Sequence, residues 1–460
     1  MKDRGAVLLV ACYELGHQPL AVAWPAAFLE REGYAPAVMD VSVEPFDPER
    51  VRRAKLVAIS VPMHTALRLG VTVARRVREV NPTCHIAFYG LYATLNAGHL
   101  LGGLADSVMS GEIERALVEL VQTLEGGQLA GGSPEPAPAG SRPVLAKLDF
   151  PAPSRAALPS LKKYAHLERD GQLELVGYVE ASRGCKHLCR HCPIPPVYGG
   201  RFFVVPVDVL LADVRQQVEA GATHITFGDP DFLNGPGHAM AFARALHAAF
   251  PSLTFDFTAK IEHLLRHRHR LPELARLGCA FIVSAAESLS DAVLAHLNKG
   301  HTRADIETAL SLTAQAGITL RPTWVPFTPW TTLEDYRELL EFVESNVLVD
   351  AIDPVQLSIR LLVPPRSLLL ESAALRPFLG ELVDGQFYHR WTHPDPRMET
   401  LHAAVSSLIA EAADRREDAA VTFQRIRELA DQRAGAAPRP VKAPAARRKR
   451  SPRLTEPWFC

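Results

Sequence analysis

Short apolar runs alternate with segments of helical period along the first part of the chain. The apolar runs cover residues 7–11, 37–41, 56–60, 85–89 and 107–109, and each is short enough for one buried strand. Segments such as 20–31 and 67–80 show the helical period between them. This alternation predicts a doubly wound parallel sheet whose ligands bind at the carboxyl ends of the strands. We assign residues 1–126 to this first α/β domain.

A second alternation begins after a segment that continues neither pattern. Residues 127–147 contain Gly-Gly pairs and a Pro-Glu-Pro-Ala-Pro run, which indicate a linker. Within residues 148–370, apolar runs recur, and all but the last precede a helical segment. Six βα units with right-handed crossovers predict a partial (βα)6 barrel with its chemistry at the carboxyl-end face. The six predicted strands are 174–180, 225–228, 254–258, 281–285, 319–325 and 355–362.

The last part of the chain changes character twice. Residues 371–433 are mainly of helical period and predict a small helical region that ends in a helix at 417–433. Residues 434–460 are rich in Ala, Pro, Lys and Arg up to position 453. This composition predicts a flexible, disordered basic tail, which ends in Cys460.

Composition narrows the class of protein. A length of 460 residues favours two to three domains, and 47% hydrophobic with 22% charged residues is ordinary for a globular protein. The formal net charge of -1 provides no general attraction to nucleic acid or to an anionic membrane. No stretch reaches the roughly 18 apolar residues of a membrane span. We therefore expect a cytoplasmic protein without membrane partners, and nucleic acid is not an expected partner either.

Three of the seven cysteines lie close together, in the pattern Cys185-x3-Cys189-x2-Cys192 after a predicted strand. Three thiolates in one loop can hold three irons of a 4Fe-4S cluster and leave the fourth iron open for another ligand. The alternative is a zinc site completed by His187 or His191. Structural zinc usually takes four ligands from two separated pairs, so the pattern favours the cluster.

The segment Arg183-Gly-Cys-Lys-His-Leu-Cys-Arg-His-Cys-Pro193 resembles the signature of the radical S-adenosylmethionine (SAM) superfamily. The resemblance extends over about residues 6–370 and is to the group with a cobalamin-binding domain in front. It implies a 4Fe-4S cluster, SAM and cobalamin as cofactors. It also implies reductive cleavage of SAM to a 5'-deoxyadenosyl radical, with electrons from a flavodoxin or ferredoxin-type donor. The radical would start a modification, such as methylation, of an unknown small-molecule or peptide substrate.

Further motifs of the superfamily follow in order along the barrel. They are Phe227-Gly-Asp-Pro-Asp-Phe232 after the second strand, Ala285-Ala-Glu-Ser288 at the end of the fourth, and the turn Lys299-Gly-His-Thr302. A basic side chain at the end of the third strand suits the SAM carboxylate. The implied SAM-binding residues are Gly228, Asp229, Lys260, Glu287 and Ser288.

The resemblance assigns the first domain to cobalamin binding through Ser60, Gly90, Gly111 and Glu112, which follow predicted strands. The Asp-x-His-x-x-Gly motif that supplies a histidine below the cobalt in many cobalamin proteins is absent. His17 lacks that spacing, so it is interpreted as an ordinary loop histidine rather than as an axial ligand. Relatives without the motif can still bind cobalamin, and a domain that has lost cobalamin is the alternative.

The ending Glu-Pro-Trp-Phe-Cys460 resembles a subgroup of these enzymes whose tail continues with a second cysteine or selenocysteine and then Ala-Glu-Pro. We therefore hypothesise that the chain stops at a selenocysteine codon. Cys460 would then be a catalytic thiol that acts as hydrogen-atom donor, metalloid ligand or redox partner. The other three cysteines, Cys12, Cys84 and Cys279, lie in or beside predicted strands and are expected to be buried and inert.

Two other functions remain open. Methylthiolation of RNA or protein is one, although those relatives add a second cysteine triplet in front and a nucleic-acid-binding domain at the end, and neither is visible. A non-catalytic redox or metalloid sensor that uses the cluster and the tail thiol is the other. The substrate cannot be derived from the candidate barrel-lining residues, which mix charge with aromatic rings: Arg321, Trp324, Trp330 and Arg360.

Overall fold

The computed structural model describes residues 1–126, 143–383, 385–436 and 450–456. The first domain contains a parallel five-stranded front sheet in the order β2-β1-β3-β4-β5. This order places the topological switch point between β1 and β3, where a doubly wound fold binds its ligands. The strands are β1 Val7–Ala11, β2 Ala37–Asp40, β3 Leu56–Ser60, β4 His85–Tyr89 and β5 Ser107–Met109; the helices are α1 Leu20–Arg31, α2 Pro48–Arg53, α3 His64–Val80, α4 Leu91–Leu95, α5 Ala97–Leu101 and α6 Glu114–Glu125.

Helices cover both faces of the front sheet, which explains why its strands are almost uniformly apolar. Alternate residues of β1 point to opposite faces. Leu9 lies in the same apolar cluster as α1 and α6, whereas Leu8 lies in the cluster that contains α3. The predicted doubly wound domain is confirmed.

The second sheet is a half-barrel in the order β13-β12-β11-β10-β7-β6-β16, with five parallel strands from β7 to β13. A separate hairpin, β8 with β9, flanks the cysteine loop. The strands are β6 His166–Arg169, β7 Gln172–Val179, β8 Ser182–Gly184, β9 Phe202–Val204, β10 His224–Phe227, β11 Thr254–Thr258, β12 Cys279–Glu287 and β13 Thr319–Trp324; the helices are α7 Pro195–Tyr198, α8 Val207–Glu219, α9 Pro236–Ala249, α10 Ile261–Arg266, α11 Leu271–Arg276, α12 Asp291–Leu297, α13 Arg303–Gln315 and α14 Leu333–Ser345.

The sixth predicted barrel strand, at 355–362, differs from the prediction. A 3-10 helix, Pro354–Ser358, occupies this part of the chain, and one isolated bridge follows it. The side chain of Gln356 accepts the backbone N–H of Trp324 at 3.0 Å. A side chain therefore satisfies the edge of β13 where a sixth strand would have paired.

The region after the barrel is helical, as predicted, but it also contains a hairpin. Strands β14 Leu379–Val383 and β15 Tyr388–Trp391 precede helices α15 Pro396–Asp414 and α16 Ala419–Arg433. Phe387 at the turn of the hairpin packs into the apolar cluster of the front sheet. No helix among the described residues is long and apolar enough to span a membrane.

Part of the predicted disordered tail is ordered in the structure. Strand β16, Arg453–Leu454, pairs antiparallel with β6, and the Arg453 guanidinium contacts Glu168. The edge strand β6 offers unpaired backbone groups for this pairing. Beyond the strand, Glu456 accepts a hydrogen bond from the Tyr13 hydroxyl at 2.7 Å. The tail thus connects the edge of the half-barrel to the first loop of the front sheet.

Arg155 forms a buried ion pair next to the loop of the front sheet that contains Gln18. Its guanidinium donates to Asp213 at 2.8 Å, to the Gln18 side chain at 2.7 Å and to the Tyr178 carbonyl at 2.7 Å. Arg155 is 7% exposed and Asp213 2%. One side chain therefore links the front-sheet loop, β7 and α8.

We expect Arg155→Met to lower the free energy of unfolding by about 3 kcal/mol, because it leaves the Asp213 carboxylate buried without its cation. Urea denaturation measures this loss. Arg31→Met is the matched control, since Arg31 pairs with Asp149 on the exposed surface and should cost at most about 1 kcal/mol. Equal losses for the two variants would contradict the prediction.

Candidate functional site

The three clustered cysteines lie in a loop between β8 and β9 at the carboxyl end of β7. Gly184 enters the loop with φ of +77°, and a Cβ there would lie 2.5 Å from the Arg201 carbonyl oxygen. Cys185 and Cys189 are buried and Cys192 is half-buried. Burial raises the pKa of Cys192 to about 12, with contributions from the two neighbouring thiols. Three thiols that lie together in one loop suit a metal or a cluster that binds them as thiolates.

Asn234, which the sequence reading missed, anchors the beginning of this loop. Its side-chain oxygen lies 3.7 Å from the Cys185 sulfur and 3.4 Å from the Lys186 backbone nitrogen. The Lys186 ammonium donates to the Asn234 carbonyl at 2.8 Å. Only the fold brings this residue from the loop after β10 to the cysteines.

Two motifs that are separate in sequence form one buried cluster. The Lys299 ammonium lies 3.1 Å from the Glu287 carboxylate, and His191 of the cysteine loop lies 3.2 Å from the same oxygen. Burial alone would raise the pKa of Glu287, but Lys299 and His191 hold it well below its usual range. Glu287 has φ of +65°, a strained conformation for this residue type that the two contacts support. Glu287 is therefore an ionised carboxylate at the edge of the cysteine loop.

Gly228 and Asp229 follow β10 and close the carboxyl end of the barrel. A Cβ on Gly228 would lie 2.0 Å from the Tyr178 hydroxyl oxygen, so no larger residue fits this backbone position. The Asp229 carboxylate accepts hydrogen bonds from Ser182 at 2.5 Å and from the Ala181 N–H at 2.9 Å. Burial raises the pKa of Asp229 to about 7, although these hydrogen bonds lower it.

Lys260 and Ser288 complete the predicted SAM-binding set. The Lys260 ammonium is 8% exposed and lies 3.2 Å from Nδ1 of His187 and 3.5 Å from Glu262. Ser288 accepts the Ser290 N–H at 3.1 Å and so shapes the turn after β12. Lys260 and Glu287 each contact a histidine of the cysteine loop, which places both of them beside it.

A cavity separates the carboxyl ends of the front sheet from the carboxyl end of the half-barrel. Three of the four predicted cobalamin-binding residues, Ser60, Gly90 and Gly111, line it. On the barrel side it is lined by residues next to the cysteine motif, among them Glu180, Ser182, Arg183, Gly184 and Gly228. Predicted cobalamin and SAM residues therefore face one shared space.

Glu112, the fourth predicted cobalamin residue, instead joins the two sheets. It is 1% exposed, accepts from the Tyr198 hydroxyl at 2.8 Å and lies 3.1 Å from the Arg183 guanidinium. Arg183 also contacts Glu114 at 2.5 Å and stacks over the Trp24 ring at 4.4 Å. These contacts hold the cysteine loop against the front sheet at one side of the cavity.

Glu180 lines the cavity, and its carboxyl group is an unusually weak acid. Burial raises its pKa to about 7, against the opposing effects of Arg183 and of the hydrogen bond from the Tyr178 hydroxyl. The folded protein therefore binds this proton more tightly than the unfolded chain, in which a glutamate titrates at about 4.3. Stability from this group is complete below pH 4 and decreases as the pH rises toward 7.

We expect Glu180→Gln to remove that pH dependence. Between pH 5 and 7 the free energy of unfolding of the variant, relative to the wild type, should rise by about 1 kcal/mol per pH unit. This is below the limit of about 1.4 kcal/mol per pH unit, because the side chain is 22% exposed. Urea titrations at several pH values measure the slope, with Glu79→Gln on the surface as the control for loss of charge. A difference in the free energy of unfolding between variant and wild type that does not change with pH would contradict the prediction.

His17 lies away from this cavity. Its ring stacks on Tyr178 with the ring centroids 4.5 Å apart, and it is not among the described residues that line the cavity. Burial lowers its pKa to about 4, so the ring is neutral near pH 7. The interpretation of His17 as a loop histidine agrees with this position.

One of the four candidate barrel-lining residues, Arg321, contacts a neighbouring strand of the half-barrel. Arg321 lies over the Phe281 ring and pairs with Asp353 at 3.2 Å. The other three have structural partners, which corrects the expectation. Trp324 is fully buried against Phe342, Trp330 donates to the Ala374 carbonyl, and Arg360 pairs with Glu399 and stacks on Trp391.

The remaining thiols divide into two groups. Cys12, Cys84 and Cys279 are buried, as predicted, and burial raises the pKa of each thiol, that of Cys84 to about 12. Such thiols are poor nucleophiles. Cys460 lies outside the described residues.

Part of the chain is similar to proteins of known family. Residues 179–343 match the model of the radical SAM superfamily. The uS12 methylthiotransferase RimO of Geotalea uraniireducens is 28% identical over 179 residues, which are 37% of this chain and 40% of that protein. A tRNA-2-methylthio-N(6)-dimethylallyladenosine synthase of Desulfosudis oleivorans is 28% identical over 202 residues, 42% and 43% of the two chains. The chain thus matches less than half the length of these curated relatives.

Solved structures extend the likeness to the front sheet. The cobalamin-dependent SAM radical enzyme OxsB, with aqua-cobalamin bound, has a TM-score of 0.67 at 14% identity and covers 88% of this chain and 67% of that one. The radical SAM methyltransferase TsrM from Kitasatospora setae has a TM-score of 0.59 at 18% identity and covers 74% and 71%. They show that a front sheet before a half-barrel is a shared fold. Residues 179–343 therefore form a radical SAM domain, which implies a 4Fe-4S cluster and SAM as cofactors.

Proposed function

We propose that this protein is a cobalamin-dependent radical SAM enzyme that modifies its substrate, for example by methylation, in the cavity between the two sheets. The observation that carries the proposal is the lining of that cavity, because Ser60 and Gly90 from the front sheet line it together with Ser182 and Gly228 from the second domain. The front-sheet residues would hold cobalamin, and the barrel residues would hold SAM.

The cluster ligands in this proposal are Cys185, Cys189 and Cys192. When bound, the cluster supplies one electron to SAM and so starts the radical chemistry. The chain's own contribution is positional. Lys299 holds Glu287 ionised beside the loop, and Asp229, Ser288 and Lys260 present polar groups to the amino and carboxylate ends of SAM.

Cobalamin on the front side of the cavity would be held by small and polar residues rather than by a histidine or a cysteine. Among the described lining residues there is neither an imidazole nor a thiol. Glu14 and Glu180 line the same space, and burial raises the pKa of both. Carboxyl groups of this kind can accept hydrogen bonds from the amide side chains of the corrin.

Methylthiolation, the activity named for the curated relatives, is the weaker candidate. The front sheet carries only two cysteines, Cys12 and Cys84, and both are buried with raised thiol pKa values. They cannot supply the second cysteine triplet that such relatives use.

Anaerobic reconstitution with iron, sulfide and hydroxocobalamin, followed by reduction in the presence of SAM, tests the proposal. We expect 5'-deoxyadenosine and about one retained corrinoid per chain. The bound cob(II)alamin should show no nitrogen coupling from a protein histidine in its EPR spectrum. Ala21→Phe, which fills the cavity, should reduce corrinoid retention, whereas Ala413→Phe on exposed α15 should not.

The other outcomes separate the alternatives. Deoxyadenosine without corrinoid would indicate a radical SAM enzyme that has lost cobalamin. A complete cluster without deoxyadenosine would favour the redox or metalloid sensor. A truncated selenocysteine tail remains a hypothesis about Cys460, and sequencing the codons that follow it tests this part separately.

A further inference from the structure

Two histidines and an aspartate meet in a buried group beside the cysteine loop. They come from three elements: His187 from the loop itself, Asp231 from the loop after β10, and His263 from α10. The side chains of Asp231 and His263 are completely buried and that of His187 is 14% exposed. Nothing in the proposed chemistry requires three such groups here, so their contacts call for an explanation.

The contacts form a continuous chain that starts at Lys260. The Lys260 ammonium lies 3.2 Å from Nδ1 of His187, and Nε2 of His187 lies 3.1 Å from Nε2 of His263. Nδ1 of His263 lies 2.7 Å from the Asp231 carboxylate. The same carboxylate oxygen is 3.4 Å from the backbone N–H of Lys260. This series of contacts therefore begins and ends at Lys260 and forms a closed ring.

One arrangement of protons with neutral imidazoles agrees with the ammonium at one end of this series of contacts and the carboxylate at the other. The lysine ammonium can only donate, so Nδ1 of His187 must accept, and its Nε2 carries the proton. The carboxylate can only accept, so Nδ1 of His263 carries a proton and its Nε2 accepts from His187. Reversing the direction would place a proton against the ammonium and a lone pair against the carboxylate. Each tautomer is thus determined by its two neighbours.

We infer that Asp231, His263 and His187 are positioning residues that hold the Lys260 ammonium against the cysteine loop, where it can bind the SAM carboxylate. Lys260 has three N–H donors, and the ring and Glu262 engage two of them. The third is available to a ligand. Because His187 belongs to the loop itself, the ring also couples the orientation of Lys260 to the placement of the cysteines.

A divalent metal bound by the same three side chains is the competing explanation, since their ligand atoms lie within 4.8 Å of one another. The Lys260 ammonium argues against it. A metal on Nε2 of His187 would require a proton on Nδ1, the atom that faces the ammonium. The ring accounts for the placement of all three side chains, and the one atom in it without hydrogen-bond geometry, Nδ1 of His263, faces the Asp231 carboxylate at 2.7 Å.

Substitution of His263 tests the inference. His263→Phe keeps the ring volume but can neither donate nor accept, and we expect it to weaken SAM binding about tenfold, which is about 1.4 kcal/mol. His263→Gln can donate to Asp231 and accept from His187, and should bind SAM within about twofold of wild type. His267→Phe, one turn further along and next to His263, is the control. SAM affinity is measured by titrating the EPR signal of the reduced, cluster-loaded protein.

A second measurement needs neither cluster nor SAM. In cluster-free protein labelled with ¹⁵N-histidine, the nitrogen shifts should report His187 protonated at Nε2 and His263 protonated at Nδ1. The opposite tautomers would overturn the inference, as would equal weakening by His263→Phe and His263→Gln. One equivalent of zinc or iron in the isolated Cys185→Ala protein that is lost on adding His263→Phe would establish the metal site instead.

The inference rests on the proposed function, because it gives Lys260 a role toward SAM. The proposed function and the inference about the ring can be disproved separately. If wild type forms no deoxyadenosine while the tautomers are as expected, the proposed function fails and the ring remains. If wild type cleaves SAM while the tautomers are reversed, the ring fails alone.

Discussion

Replacing Cys185 by alanine should abolish formation of 5'-deoxyadenosine and reduce the iron content of the reconstituted protein to background. Cys185 is buried beside Asn234 at the beginning of the loop, and two thiolates are too few to hold a 4Fe-4S cluster that leaves one iron open. The iron and sulfide content, the 4Fe-4S absorption and the rate of SAM cleavage should therefore decrease together. We expect the cleavage rate to fall by at least about a thousandfold, which is about 4 kcal/mol in activation free energy.

Cys279→Ala is the matched control for this result. Cys279 is also buried in the half-barrel, but it begins β12, at the end of the barrel opposite the cysteine loop. We expect this variant to retain the cluster and the cleavage activity. Loss of the cluster from both variants would show that the barrel tolerates no cysteine substitution. Retention of the cluster by Cys185→Ala would disprove the ligand assignment.

Replacing Lys299 by methionine should lower the free energy of unfolding by about 4 kcal/mol. Lys299 is 2% exposed and Glu287 6%, so the substitution leaves an ionised carboxylate buried with His191 as its only other described side-chain partner. The folded-state pKa of Glu287 lies below its usual range. The stability from this group is therefore present above about pH 4.3 and is lost only as the pH falls through the lower folded-state pKa. Urea denaturation at pH 7 measures the effect.

The double variant Lys299→Met with Glu287→Gln provides the control. If the loss comes from the unpaired charge, removing the carboxylate as well should recover more than half of it. Additive losses would indicate that the two side chains contribute independently through packing. Lys162→Met, at an exposed lysine, should have little effect on stability.

The described part of the tail, residues 450–456, is ordered. It is anchored by β16 and by the contact of Glu456 with Tyr13. The composition of this segment predicted disorder, because alanine, proline and basic residues do not form a core. The pairing arises from the free edge of β6 instead, and an unpaired edge in another part of the chain cannot be recognised from the tail's own composition.

The chain's local patterns were sufficient to predict the front sheet, the five parallel strands of the half-barrel and the cysteine loop, but not the end of the barrel at 355–362, the hairpin of β14 and β15 or the tail strand β16. Alternation of apolar runs and the spacing of Cys185, Cys189 and Cys192 depend on neighbours within a few residues, so they can be recognised without the fold. Contacts between distant residues could not be determined in this way. The pairing of Glu287 with Lys299, of Arg183 with Glu114 and of His187 with His263 depends on how the strands curve and which loops meet. Tertiary structure alone decides these contacts, because a buried polar group takes whichever partner the packing of distant segments brings within hydrogen-bonding distance.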